Sequence, residues 1–166
     1  VIAYVGETVT LRVSATDVNT GNNGIKSLNY TTANVPVGGK DVSGVSIGNR
    51  QGMDPATVEM TITPVANDVG THLYNSFVAT DNKGNPNGNR FSITVRQVST
   101  TQARTTPGKA LSNADLLNHV QTDTENPYSS ITIDQSQTNY NVVGNTSATA
   151  TVHYNDGTTK TVTIPI

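Results

Sequence analysis

The chain lacks cysteine and tryptophan, and only 13% of its 166 residues are charged and 5% aromatic. Without cysteine it can form no disulfide bond and offers no thiol nucleophile. A formal net charge of −2 gives it no basic surface for nucleic acid or anionic lipid. No apolar run approaches the roughly 20 residues that span a bilayer. We therefore expect neither nucleic-acid binding nor membrane insertion.

Recognisable catalytic motifs are also missing. The sequence contains no Gly-x-Ser-x-Gly, no His-Glu-x-x-His and no phosphate-binding loop. His119 and His153 have no partner at a spacing typical of metal ligands. We expect that the protein is not an enzyme and that it uses no cofactor.

Threonine, valine, asparagine, serine and glycine are abundant, which favours β-structure with many turns. Alternating apolar and polar residues predict six strands in the first part of the chain: residues 5–17, 25–32, 42–47, 57–63, 71–80 and 90–98. In the fourth of these, Val58, Met60 and Ile62 are expected to face inward. Six short strands in about 98 residues are typical of an antiparallel β-sandwich.

Two of these strands end in a similar way. Each stops at an aspartate, Asp17 or Asp81, and continues into a segment rich in asparagine and glycine, residues 18–24 and 82–89. Asparagine and glycine tolerate positive φ, and aspartate bonds its own following backbone, so both segments are predicted loops. The strand order predicts that both loops lie at one end of the sandwich.

The second part of the chain has a different character. Residues 98–108 are rich in serine, threonine and glutamine and are predicted to be a linker. A helix is predicted over 111–120, with Ser112 as its cap and Asp115 completing a capping box. Strands are predicted over 130–134, 147–154 and 159–164, the last two joined by the turn at 155–158. We therefore expect a sandwich over residues 1–98 and a small helix-plus-hairpin α+β domain over residues 99–166.

Part of the first region resembles an immunoglobulin-like domain. Residues 58–62 look like its strand E. Residues 68–74 look like the Asp-x-Gly/Ala-x-Tyr-x-Cys segment that enters strand F, with His72 at the tyrosine-corner position and Tyr74 at the cysteine position. The resemblance is to the variable-like (V-set-like) topology.

The order of a cysteine-free sandwich and then a small helix-plus-hairpin domain resembles the ligand-binding region of streptococcal serine-rich repeat adhesins. These adhesins pair a Siglec-like domain with a Unique domain. Residues 154–159 also resemble the turn of Rib-type surface repeats. The resemblance implies an extracellular, cell-wall-anchored protein of a Gram-positive bacterium. It would bind glycans of host cell-surface or salivary glycoproteins, sialylated or related O-glycans, and we expect a monomer.

The strand-F signature of that family is an apolar residue, threonine, arginine and a variable residue, and the arginine binds the carboxylate of sialic acid. Here the signature falls on residues 73–76, with Tyr74 in place of threonine and Asn75 in place of arginine. An amide cannot make the bidentate, charge-assisted contact of an arginine. We therefore expect weak binding of simple sialosides unless another cation contributes, and Arg50 is the first candidate.

The predicted glycan-binding residues lie on strand F, on the loop that follows it and on a loop before strand E: Tyr74, Asn75, Ser76, Asn82, Lys83, Asn85 and Arg50. Alternatives remain open. Tyr74 could be a core residue, and His72 could bond nearby backbone. The aspartates of the two loops could bind calcium, but turn chemistry is favoured and no metal site is predicted. The whole chain could instead be a non-binding structural stalk or a cadherin-like module of a cell-wall protein.

Overall fold

A computed structural model describes residues 1–18, 24–30 and 42–166, and the side chains of all of these except 74–76 and 89. The chain is mainly β and divides into two units, Val1–Val95 and Arg96–Ile166. Each unit has its own cluster of buried apolar residues. No helix in the described part of the chain is long and apolar enough to cross a membrane.

The described part of the first unit contains the following strands: β1 (Ile2–Tyr4), β2 (Val9–Ala15), β3 (Ile25–Tyr30), β4 (Val45–Ile47), β5 (Ala56–Ile62), β6 (Gly70–Asp81) and β7 (Pro86–Arg96). They form a four-stranded sheet in the order β1-β7-β6-β3 and a three-stranded sheet in the order β2-β5-β4. The described pairings β2–β5, β4–β5, β3–β6 and β6–β7 are antiparallel. Residues from both sheets contribute to one core, as in a β-sandwich.

Strict alternation builds this core. Val58, Met60 and Ile62 of β5 are buried, as the sequence predicted, and Ile93 and Val95 of β7 are fully buried with them. The apolar residues of β2 pack against the same cluster, while its threonine, arginine and serine residues face out. Because side chains alternate across a strand, one face of each sheet is apolar and the other is left to polar residues.

Two sequence predictions in this unit were wrong. The predicted first strand is in fact two, β1 and β2, separated by a turn in which Gly6 has a φ of 81°. The predicted loop over 82–89 is shorter, since β7 already begins at Pro86 and Asn87 pairs with Ala79 of β6. Proline is tolerated at the first residue of a strand, so the composition of this segment did not prevent pairing.

The second unit contains β8 (Val98–Thr100), helix α1 (Asn113–Leu117), β9 (Val120–Thr122), β10 (Tyr128–Asp134), β11 (Ser147–Tyr154) and β12 (Thr159–Pro165). Strands β10, β11 and β12 form a sheet in that order, and β8 pairs with β9. The turn predicted at 155–158 does join β11 to β12. Residues 98–100, predicted to begin a linker, instead form β8.

Helix α1 is shorter than predicted. The Asp115 amide donates to the Ser112 hydroxyl over 3.0 Å, and the Ser112 amide donates to the Asp115 carboxylate over 3.2 Å, so the predicted capping box is confirmed. Leu116 is fully buried, but Leu117 is 41% exposed. Val120 was expected on the apolar stripe of the helix and instead begins β9.

A buried arginine organises the hairpin of β11 and β12. The Arg96 guanidinium lies 3.7 Å from the ring centroid of Tyr154. Its Nη2 lies 2.7 Å from Asp156 Oδ2, and its Nη1 donates to Thr158 Oγ1 over 2.6 Å. Hydrogen bonds from Thr158, and then the Arg96 contact, lower the pKa of Asp156 from 3.8 to about 2. The carboxylate of this turn is therefore held in its charged form.

The pKa of Asp156 leads to a prediction about acid stability. Because the folded-state pKa of about 2 lies below the ordinary value of 3.8, ionised Asp156 stabilises the folded state above pH 3.8. This stabilisation should disappear as the pH falls through about 2. We expect the difference in Tm between wild type and Asp156→Asn to shrink over that range. A carboxyl ¹³C titration of Asp156 with a midpoint near 3.8 would contradict the assignment.

Candidate functional site

The start of β3 is held from two directions at one end of the sandwich. The Asn82 side-chain amide donates to the Gly24 carbonyl over 3.2 Å, and the Ile25 amide donates to the Met53 carbonyl over 2.7 Å. Gly24 has a φ of +84°, and a Cβ at this position would stand only 2.8 Å from the Met53 carbonyl oxygen. Glycine is therefore required here, and predicted site residue Asn82 takes part in the architecture of this end.

Arg50 contacts the same strand. Its Nη1 donates to the carbonyls of Ile25 and Lys26 over 2.9 and 2.7 Å. The sequence suggested Arg50 as a cation for a ligand anion. In the structure, part of its guanidinium is committed to the backbone of β3, which gives the residue a structural role.

Asp81 organises the turn between β6 and β7. Its carboxylate accepts hydrogen bonds from the Lys83 amide over 2.9 Å and from the amide and side chain of Asn85 over 2.8 Å each. The Asn85 side chain is the largest cause of the lowered pKa of Asp81. Predicted site residues Lys83 and Asn85 thus lie together in this turn. Within the described residues, no group of three or more histidine, aspartate or glutamate side chains could hold a metal ion.

A cleft of about 470 Å³ opens beside this turn. Its apolar lining includes Leu28 and Phe77, and its polar lining includes Asp17, Asp81 and Asn87. The aspartates that end the two strands therefore line one space, which agrees with the prediction that their loops share one end of the sandwich. Apolar walls with a few polar groups are typical of small-molecule sites, and the volume lies in the usual range.

The sequence did not identify Leu28, Phe77 or Asn87 as site residues. Leu28 and Phe77 are almost fully buried core residues that also line the cleft, and their apolar character predicted only the core. Asn87 fell in a predicted loop. Its pairing with Ala79 is a signal that only the register of β6 and β7 supplies.

The remaining predicted residues lie on β6, where its pairing with β7 is irregular. The register shifts between two cross-strand pairs: Tyr74 with Phe91 and Phe77 with Asn89. Between these pairs, Asn75 and Ser76 stand opposite the single residue Arg90. The side chains of residues 74–76 lie outside the described part of the structure, so their predicted role stays a prediction. Bulges of this kind bend a strand and often occur beside binding sites.

The corner that leads into β6 is built on a buried aspartate. The Asp68 carboxylate accepts from the Val65 amide over 2.8 Å and from the amide and hydroxyl of Ser43 over 3.1 and 3.2 Å. The Asp68 carbonyl lies 2.7 Å from His72 Nε2. His72 therefore bonds nearby backbone, as the structural alternative in the sequence analysis proposed.

The second unit has a groove of its own, of about 310 Å³. Arg104, Tyr140 and Val143 are among the residues that line it, and Val143 is 90% exposed. The Tyr140 hydroxyl donates to Gln135 Oε1 over 2.5 Å, and its ring packs against the core of this unit. The sequence predicted Tyr140 as a structural residue and gave no indication of the groove.

Comparison with known proteins gives structural likeness only. No family model matches the sequence, and no curated protein matches it. Among solved structures, the GspB Siglec domain matches with a TM-score of 0.53 and 15% identity, over 98% of this chain and 88% of that chain. The two chains share a fold. At this identity the likeness supports a Siglec-like arrangement of the chain and leaves the ligand to be argued from the site.

The buried bonds of Asp68 lead to a prediction about stability. In Asp68→Ala the amides of Val65 and Ser43 lose their acceptor, and each unsatisfied buried group costs about 1–3 kcal/mol. We expect a fall of about that size in the free energy of unfolding, measured by urea denaturation, and a smaller fall for Asp68→Asn. The exposed Glu59→Ala serves as the control, with a loss of about 0–1 kcal/mol. An Asp68→Ala variant as stable as this control would contradict the account.

Proposed function

We propose that this chain is the ligand-binding region of a bacterial surface adhesin and that its first unit binds host glycans without catalysis. In this proposal the first unit is a V-set-like immunoglobulin sandwich, and the second is a small α+β domain. The shared fold with the GspB Siglec domain supports this assignment. The observation that carries it is the cleft beside the turn of β6 and β7.

The lining of the cleft suits a sugar ring. Leu28 and Phe77 offer apolar surface for the C–H face of a pyranose. Asp17, Asp81 and Asn87 offer carboxylate and amide groups for hydroxyls. Several hydrogen bonds around an apolar contact are enough for the modest affinity of a glycan-binding module, and the arrangement requires no bond-making group.

The charges of the cleft indicate the kind of sugar. Its described lining includes two aspartates and no lysine, arginine or histidine. A carboxylate or sulfate placed there would be repelled, and its desolvation would not be compensated. We infer that the cleft takes a neutral sugar, such as galactose or an N-acetylhexosamine.

The setting of the proposed function follows from the same adhesin assignment. The partners would be glycans of host cell-surface or salivary glycoproteins, met by an extracellular, wall-anchored, monomeric protein of a Gram-positive bacterium. The competing function is a structural module that projects another domain and binds nothing. A cleft with both apolar and polar lining favours binding, because a spacer gains nothing from it. A glycan array probed with the full chain separates the two functions.

Filling the cleft should remove neutral-sugar binding. Asn87 lines the cleft and is exposed, so Asn87→Trp places an indole in the space without disturbing the core. We expect at least an about tenfold loss of affinity for array-positive neutral glycans, measured by calorimetry, which corresponds to about 1.4 kcal/mol. Thr10→Trp, on the exposed face of the other sheet, is the matched control. Equal binding by both variants would show that the sugar binds elsewhere, and an array without hits would favour the structural module.

A further inference from the structure

Arg90 lies on the outer face of the four-stranded sheet. Its neighbour Phe91 packs against the core, and Ile93 and Val95 are fully buried in it. Because side chains alternate along β7, Arg90 points away from the core, and it is exposed. The residue is therefore presented to solvent by a strand whose opposite face is fixed in the core.

The charge of Arg90 is not neutralised within the molecule. Arg12 of the other sheet pairs with Glu59 at 3.0 Å, and Arg50 donates to backbone carbonyls. In the described part of the chain, by contrast, no hydrogen bond or ion pair reaches the Arg90 guanidinium. All of its N–H groups are available to a ligand.

The surrounding sheet contains no competing carboxylate on this face. Across β1, β3, β6 and β7 the sequence has a single acidic residue, Asp81. Asp81 pairs with Ile25, lines the cleft and accepts hydrogen bonds from the turn residues Lys83 and Asn85. The outer face of this sheet is therefore cationic where the cleft is anionic, and the two surfaces discriminate between ligand groups of different charge.

The immediate neighbours of Arg90 leave room for a ligand. Along the same face of β7 they are Gly88, which has no side chain, and Ser92, which carries a hydroxyl. Across on β6, Val78 pairs with Gly88, and Leu73, which is 51% exposed, pairs with Ser92. The guanidinium thus has an open side, a hydroxyl and apolar surface beside it. The bulge of β6 directly opposite Arg90 marks the place where this face bends.

We propose that Arg90 binds the carboxylate or sulfate of an acidic glycan on this outer face. The planar guanidinium suits both groups, because it can donate two parallel charged hydrogen bonds. The inference rests on the proposed glycan-binding function and adds the acidic substituent and the residue that selects it. It replaces Arg50, whose Nη1 is occupied by the backbone of β3.

The test is calorimetric titration of the full chain with 3′-sialyllactose, 3′-sulfolactose and lactose at low salt. Wild type should bind at least one acidic glycan about tenfold tighter than lactose, since hydrogen bonds to charged groups are the stronger ones. Arg90→Gln should bring that affinity down to the lactose value, and Arg90→Lys should retain part of the difference. Arg12→Gln removes the same charge from the other sheet and should change nothing. The two acidic arms tell a carboxylate ligand from a sulfated one.

The possible outcomes separate this inference from the proposed function. If Arg90→Gln binds the acidic glycan as tightly as wild type, or if Arg12→Gln weakens binding equally, the role of Arg90 is overturned while glycan binding stands. If wild type binds acidic glycans no better than lactose, the role is likewise overturned. If neither these sugars nor a glycan array show any binding, both proposals fail. An unchanged Tm for Arg90→Gln and Arg90→Lys, expected for an exposed residue without contacts, shows that the variants are folded.

Discussion

Burial of a small number of apolar side chains is the constraint on which this structure depends. With no cysteine and 34% hydrophobic residues, the chain has neither disulfides nor apolar surface to spare. Fully buried side chains such as Met60, Ile62 and Ile93 must therefore supply the stability, at about 1.5–3 kcal/mol each. Strict alternation places them on inner faces, and the same alternation sends polar residues outward. The position of Arg90 follows directly, because Phe91 beside it is needed inside.

Local features of the fold could be predicted from the sequence because the signals were local. The inward residues of β5, the capping box of Ser112 and Asp115, and the turn at 155–158 each depend on residues only a few positions apart. The segment over 82–89 could not be predicted in this way. Its asparagine, glycine and proline residues indicate a loop, yet Asn87 is fixed by Ala79, and a pairing of that kind leaves no mark in the segment itself.

The same distinction applies to the site. Arg50 looked like a free cation because its acceptors, the carbonyls of Ile25 and Lys26, lie about two dozen positions earlier in the chain. Arg90 attracted no attention, because an arginine within an alternating strand is ordinary. Only the fold shows that it stands without a partner opposite a bulge. The roles suggested for Tyr74, Asn75 and Ser76 came from a resemblance and remain predictions.

The central claim is that the first unit binds a glycan with the β6–β7 hairpin. The most direct measurement is amide chemical-shift mapping of the ¹⁵N-labelled full chain during titration with 3′-sialyllactose. The account predicts that the largest shifts occur at Leu73, Arg90 and Ser92 on the outer face and at Asn87 beside the cleft. Shifts confined to residues 96–166, or no shifts at saturating sugar, would contradict it.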